Sequence, residues 1–294
     1  MSVTIQATGI SRPNNNVGSI EHAITAAKGC IEAAQVALDD IDLLISVGVY
    51  RDHNMCEPAI AALIQNALGI NLNPVSTPVE RTILSFDLMN GACGMLNAFQ
   101  VASSILNSKQ LKRALLVSGE GHPSKEQSDG FPIFHSGAAV LIERTSGKNG
   151  FQKFVFETSS DIEGQTGVLD LNLHGAQSRF KIQVLRDDGY TVQLEDFTAA
   201  VVERFLIQQG VDKEKISMVT SQPCPEFAEA LSRKTGVALA AGAQTVAQWG
   251  DTHTAALGLG AHLALQDINR SSQEGLLFVG AGAGLTSGCG LYLY

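Results

Sequence analysis

The sequence predicts an α/β fold of two pseudo-symmetric halves, with mixed, mostly parallel sheets that helices cover and separate. Three observations point there. Short apolar runs of strand length alternate with longer stretches of helical period. One helix-then-strand unit occurs twice. The composition, 45% hydrophobic and 17% charged with 29 glycines in 294 residues, is that of a chain whose elements are mostly buried. A chain of this length can enclose a sizeable core.

Apolar residues at three- and four-residue spacing predict a helix from about Ser19 to Leu38. "IDLLISVGV" (Ile41 to Val49) reads as a buried strand, and "EPAIAALIQNALGI" (Glu57 to Ile70) as a second helix. A short strand at "ILSFDL", an Ala-rich helix from about Gly94 to Leu106 and the strand "ALLVSGE" (Ala114 to Glu120) follow. Strands alternating with helices imply parallel pairing with helices on both faces.

The second half repeats the order: a helix near "EDFTAAVVERFLIQQG", the strand "ISMVTS", the helix "PEFAEALSRKTGV", the turn "WGDTHTAA", an Ala/Gly/Leu helix and "EGLLFVGAGAGLTSGCGLYLY". The unit that starts at Gly91, "GACGMLNAFQ", thus has its counterpart at Gly250, "GDTHTAALGL". Two such halves, 1–144 and 145–294, are expected to meet around one site. Residues 145–189, richer in polar and turn-forming types, are expected to be an irregular connecting region.

The net charge of -9, without a dense Lys/Arg run, argues against nucleic acid or an anionic membrane as partner. No apolar run reaches the roughly 18–20 residues of a membrane helix, and "MSVTIQATGI" lacks the character of a signal peptide. The five dispersed cysteines, Cys30, Cys56, Cys93, Cys224 and Cys289, read as reduced thiols, so a cytoplasmic location is expected and a metal site is not. "GAGAGLTSG" contains a GxGxxG-like run, but no helix follows it, and no cofactor is expected.

Four segments resemble the thiolase fold, and within it the 3-oxoacyl-[acyl-carrier-protein] synthase III branch of condensing enzymes: "FDLMNGACGMLNAFQVA", "ISMVTSQPCPE", "WGDTHTAA" and "FVGAGAGLTSG". The resemblance implies a cysteine nucleophile at the start of a buried helix, where the helix dipole favours its thiolate. It also implies a His and an Asn that stabilise the enolate of the second substrate.

Aligned without gaps through Phe86, Asp87, Gly94, Met95 and Ala98, the nucleophile position falls on Ala92, and Cys93 lies one residue late. One residue of helix is a rotation of about 100°, enough to aim a sulfur elsewhere. Cys93 then reads as a small buried hydrophobe. The alternative is a nucleophile brought back into register by a local insertion and deletion. Gln222 occupies the His position; an amide hydrogen-bonds but does not shuttle protons near neutral pH, and it also reads as a loop cap. Asp251 occupies the Asn position, where a carboxylate would repel an enolate unless protonated. His253, two residues on, is either a relocated base or a structural histidine.

The family's segment that holds the CoA nucleotide, between the first strand-turn and the first long helix, has no equivalent in "SRPNNNVGSIEHAITAAKGC". Glu57, before Pro58, lies on the segment that in this family reaches across the dimer into the neighbour's acyl pocket. The branch that joins two fatty-acyl chains head to head has a glutamate base in a similar Glu-Pro context. The other reading is an acid favoured by a helix dipole, with Pro58 at the first helical position.

The changes at Ala92, Gln222 and Asp251 and the missing clamp lead to one expectation. The chain is a non-catalytic or weakly catalytic subunit of a heteromeric condensing enzyme in fatty-acid, polyketide or secondary-metabolite biosynthesis. Its partner would be an active condensing-type subunit, which supplies the acyl thioester site. Two alternatives stay open: an active acyltransferase with Cys93 as nucleophile and His253 as base, and a homodimer that binds acyl chains.

Overall fold

The computed structural model describes residues 2–72, 83–108, 111–124, 130–160, 164–169, 182–267, 273–282 and 284–294. The first run of elements is β1 (Ser2–Ser11), α1 (Ser19–Ala34), β2 (Leu43–Ser46), α2 (Ile60–Leu68), β3 (Leu84–Asp87), α3 (Gly94–Ser108), β4 (Arg113–Glu120) and β5 (Ser136–Thr145). The second is β6 (Gly150–Thr158), β7 (Gln165–Val168), β8 (Gln183–Arg186), α4 (Tyr190–Gln209), β9 (Ile216–Thr220), α5 (Phe227–Thr235), β10 (Ala238–Leu239), α6 (Ala243–Gln248), α7 (Ala256–Gln266), β11 (Gly275–Gly282) and β12 (Thr286–Leu293).

Two five-stranded sheets form, in the orders β1-β5-β4-β2-β3 and β6-β12-β11-β9-β10. The orders correspond strand for strand. The sheets are mixed, as expected, but not mostly parallel. In each, two pairings are parallel and two antiparallel, because the last strand of each run folds back on its predecessor and then pairs with the run's first strand. Between the sheets lie α3 and α7: Phe99, Leu96, Leu257 and Ala261 share one core with Ile45 and Leu116 on one side and Phe278 and Tyr292 on the other. Helices α1 and α2 cover the first sheet's outer face through Ala26, Cys30 and Ile64. Helices α4 and α5 cover the second's through Val202, Phe205 and Leu231. Among the described residues no helix is long and apolar enough to cross a membrane.

Three local expectations change. The first helix stops at Ala34, where Gln35 turns left-handed (φ 53°), and a 3₁₀ turn at Leu38–Asp40 replaces its last residues. The second helix starts at Ile60, so Pro58 is not its first residue and Glu57 is not in its first turn. Its free N–H groups are taken by Asp87 instead, with Ile60 N and Ala61 N donating to that carboxylate at 2.9 and 2.8 Å. The region 145–189 is not all irregular. Gly150–Thr158 is an edge strand of the second sheet, drawn in by Phe151, whose ring stacks on Phe99 at 4.7 Å.

Helix α1 lies so close to β4 that a Cβ on Gly119 would sit 1.9 Å from the Ser19 carbonyl oxygen. Both partners are backbone, so neither can step aside. Gly119→Ala is expected to destabilise the protein by about 1–3 kcal/mol through overpacking, read as a lower urea midpoint at unchanged m-value.

Candidate functional site

Helices α3 and α7 each begin from a 3₁₀ turn, Gly91–Cys93 and His253–Ala255, and the two turns touch in the centre of the molecule. Each turn opens on a left-handed residue, Gly91 (φ 48°) in one and His253 (φ 46°) in the other. Glycine adopts that conformation freely, whereas a residue with a β-carbon resists it by about 1–2 kcal/mol. His253 is held there from two sides. Its backbone N–H donates to Asp251 Oδ1 at 2.9 Å, and its Nδ1 lies 3.0 Å from Glu120 Oε1.

Each turn also faces the end of the other half's central strand. A Cβ on Gly282 of β11 would come within 2.9 Å of the Ala92 methyl group, and one on Gly280 within 3.3 Å of the Cys93 sulfur. Ala92 therefore occupies the strand end, while Cys93 points beneath the second sheet, with its Sγ 3.7 Å from the Thr286 carbonyl. Cys93 is 1% exposed, and burial pushes its thiol up to about 12. This is the environment of an inert buried thiol, not of an activated one.

The family's other two positions are also spoken for. Gln222 is buried, and its amide donates to the carbonyls of Cys224 and Pro225 at 3.0 and 2.9 Å, which makes it a loop cap. Asp251 lies at the base of the α7 turn. Its Oδ2 receives Arg186 Nη2 at 3.0 Å, so a guanidinium answers the carboxylate. Burial raises the Asp251 carboxyl above its ordinary range, and contacts with His253 and Arg186 offset only part of that rise. Arg186 also reaches the Pro223 carbonyl at 3.4 Å and thereby ties the Gln222 loop to the Asp251 turn.

Glu120 closes β4 and is fully buried. Its Oε1 receives the Thr254 N–H at 3.2 Å and the Thr254 hydroxyl, besides its contact with His253. Ser118 Oγ lies 2.6 Å from the same Thr254 hydroxyl. Burial alone would lower the His253 imidazole, but the Glu120 carboxylate and its hydrogen bond outweigh burial and raise it. The Tyr50 ring leans on His253 at 5.6 Å between centroids. His253 is thus held by Glu120 through its Nδ1. Glu57 is exposed on the loop before α2, where Arg51 Nη1 donates to the carbonyls on either side of it, Cys56 O at 3.0 Å and Pro58 O at 3.4 Å.

Glu120 and Arg186 belong to the candidate site by their contacts, and the motifs did not single them out. Glu120 had a signal, since an acid ends an otherwise apolar strand at the place where the second half has Gly282. Arg186 had none, because it lies in the stretch without periodic pattern. Among the described residues no group of three or more His, Cys, Asp or Glu is placed to hold a metal ion.

Sequence comparison finds the beta-ketoacyl-[acyl-carrier-protein] synthase III of Wolbachia pipientis from Culex pipiens 24% identical over 279 residues, covering 92% of this chain and 83% of the relative. Synthase III 2 of Vibrio cholerae is 27% identical over 300 residues, 96% of this chain and 78% of the relative. The chain has the thiolase fold and is similar in sequence to ketoacyl synthases III over nearly its whole length. The crystal structure of the 3-oxoacyl-[acyl-carrier-protein] synthase III from Aquifex aeolicus superposes with a TM-score of 0.78 at 17% identity over the whole of both chains. No protein-family model matches this synthase-III-like chain.

The raised His253 sets a direction for pH dependence. Unfolded, the imidazole loses its proton near its ordinary value of 6.5; folded, it keeps the proton to higher pH. Between the two values the folded state binds more protons, so stability falls as pH rises. Asp251, also raised, acts in the same sense from its ordinary 3.8 upward, whereas His22, His122 and His262 are lowered and titrate below 6.5. Urea midpoints are expected to decline above pH 6.5 in the wild type and to decline less steeply in His253→Gln.

Proposed function

We propose that this synthase-III-like chain is a catalytically silent subunit that pairs with an active condensing-type chain. The observation that carries the reading is the ion pair between Arg186 and Asp251, which fills the place where the reaction needs a neutral donor. An enolate or oxyanion is stabilised by donors that are free and aimed at it. Here the Gln222 amide is spent on its own loop, and the Arg186 guanidinium is engaged by Asp251.

The nucleophile points the same way. A thiol near 12 leaves roughly one part in 10⁵ as thiolate at neutral pH, and Cys93 faces Gly280 and the Thr286 carbonyl. The contacts of His253 are to Glu120, Asp251 and Tyr50, whereas the Cys93 sulfur faces the Thr286 carbonyl, so the pair is not set up as nucleophile and base. In this reading the partner contributes the cysteine and the acyl thioester site, in fatty-acid, polyketide or secondary-metabolite biosynthesis. This chain contributes the dimer face. Glu57, exposed on a loop fixed by Arg51, would reach into the partner's pocket as a base.

Incubation of the purified chain with acyl-CoA or acyl-carrier protein is expected to give no covalent mass increase by intact-protein mass spectrometry. Acylation that vanishes in Cys93→Ala would overturn the silent-subunit reading. In the reconstituted pair, Glu57→Ala is expected to lower turnover by about 10²-fold or more, the usual loss of a general base, with assembly unchanged by size-exclusion chromatography. If the chain instead forms a homodimer that retains fatty acids through purification, the acyl-binding alternative takes precedence.

A further inference from the structure

The guanidinium of Arg186 uses three of its edges and one face at once. Its Nη2 meets Asp251 Oδ2 at 3.0 Å, Nη1 meets Pro223 O at 3.4 Å, Nε donates to Gln165 Oε1 at 2.6 Å, and its carbon lies 5.8 Å from the centre of the Tyr190 ring. Gln165 and Arg186 are paired across β7 and β8, a two-stranded sheet separate from the two large ones. That small sheet rests on the polar centre: a Cβ on Gly167 would sit 3.2 Å from the Tyr50 hydroxyl, and the Tyr50 ring contacts His253. One side chain therefore fastens the small sheet to both the Gln222 loop and the Asp251 turn.

We propose that Arg186 is the plug of the former thioester site: it fastens β7–β8 over that site and keeps an acyl-pantetheine thioester out. The proposal rests on the silent-subunit reading and adds the side chain that enforces it. The charge arrangement explains why the plug stays in place. Asp251 is 9% exposed at its side chain, and without Arg186 its carboxylate would be buried with far less compensation. Arg186, 27% exposed, gives up little hydration by remaining. Arginine suits the role because its planar fork binds a carboxylate, a carbonyl and an amide oxygen together, which a lysine ammonium does not. Asp251 and Arg186 are then one device, since the buried carboxylate is unfavourable without the guanidinium.

The test is a paired replacement that removes the plug and restores neutrality, Arg186→Ala with Asp251→Asn. Binding of lauroyl-pantetheine, which does not need a nucleotide clamp, is measured by titration calorimetry. The double variant is expected to bind saturably, with at least tenfold higher affinity than the wild type and no covalent addition. Asp251→Asn alone, which keeps the backbone contact to His253, is expected to fall between them, and it carries the test should the double variant fail to fold. Equal affinity in the wild type and the folded variants would overturn the plug and leave the silent-subunit reading standing. Covalent acylation of the wild type would instead remove the reading on which the plug rests.

Discussion

The arrangement depends on one buried carboxylate. Glu120 ends the central strand of the first sheet, and its Oε1 gathers donors from the turn that starts α7 in the other half. That turn contains a left-handed histidine, which the local backbone resists. The carboxylate compensates by binding the His253 ring, the Thr254 N–H and the Thr254 hydroxyl together. Helix α7 is thereby fixed between the two sheets, where Leu257 and Ala261 complete the shared core. The second oxygen, Oε2, is buried without a hydrogen-bond partner in the structure. A buried charge of this kind is tolerated because it is paired, and removing one member of such a pair typically costs about 3–5 kcal/mol.

The internal symmetry sets this acid beside its counterpart in the other half. At the equivalent end of β11 stands Gly282, against the Ala92 methyl group. One strand end thus carries no side chain and the other carries a full carboxylate. The contrast makes the centre of the molecule asymmetric although its scaffold repeats strand for strand. At the Ala92 end the contacts are apolar and close. At the Glu120 end they form a chain of charges that runs through His253 and Asp251 to Arg186.

The scaffold was legible because its signals are local. Buried strands such as Leu43–Ser46 are continuous apolar runs, and the unit at Gly91 and its copy at Gly250 share their helix starts. What escaped was set by distant partners. The start of α2 is fixed by Asp87, a residue of β3, and no pattern within the helix announces it. The even division of parallel and antiparallel pairings comes from strands that return along the sheet, which periodicity does not encode. Arg186 belongs to a segment without period, and its importance exists only through Asp251 and Pro223. Glu120 lay between these cases. The residue was visible as an acid at a strand end, but its partners were not.

A buried polar group weakens the fold when it is left unsatisfied. In the centre of this molecule the charged groups answer one another, and the cost is confined to atoms such as Glu120 Oε2. Two carboxylates, Glu120 and Asp251, face one guanidinium and one imidazole that is raised toward its charged form. With the imidazole protonated the formal charges cancel, and each carboxylate has a cationic partner within 3.0 Å. A single replacement in such a unit leaves an opposite charge with less compensation, and the cost is larger for the enclosed Asp251 carboxylate than for Arg186, which keeps contact with solvent. Glu120, His253, Asp251 and Arg186 are therefore coupled, and the effect of replacing one depends on whether its charged partner is still present.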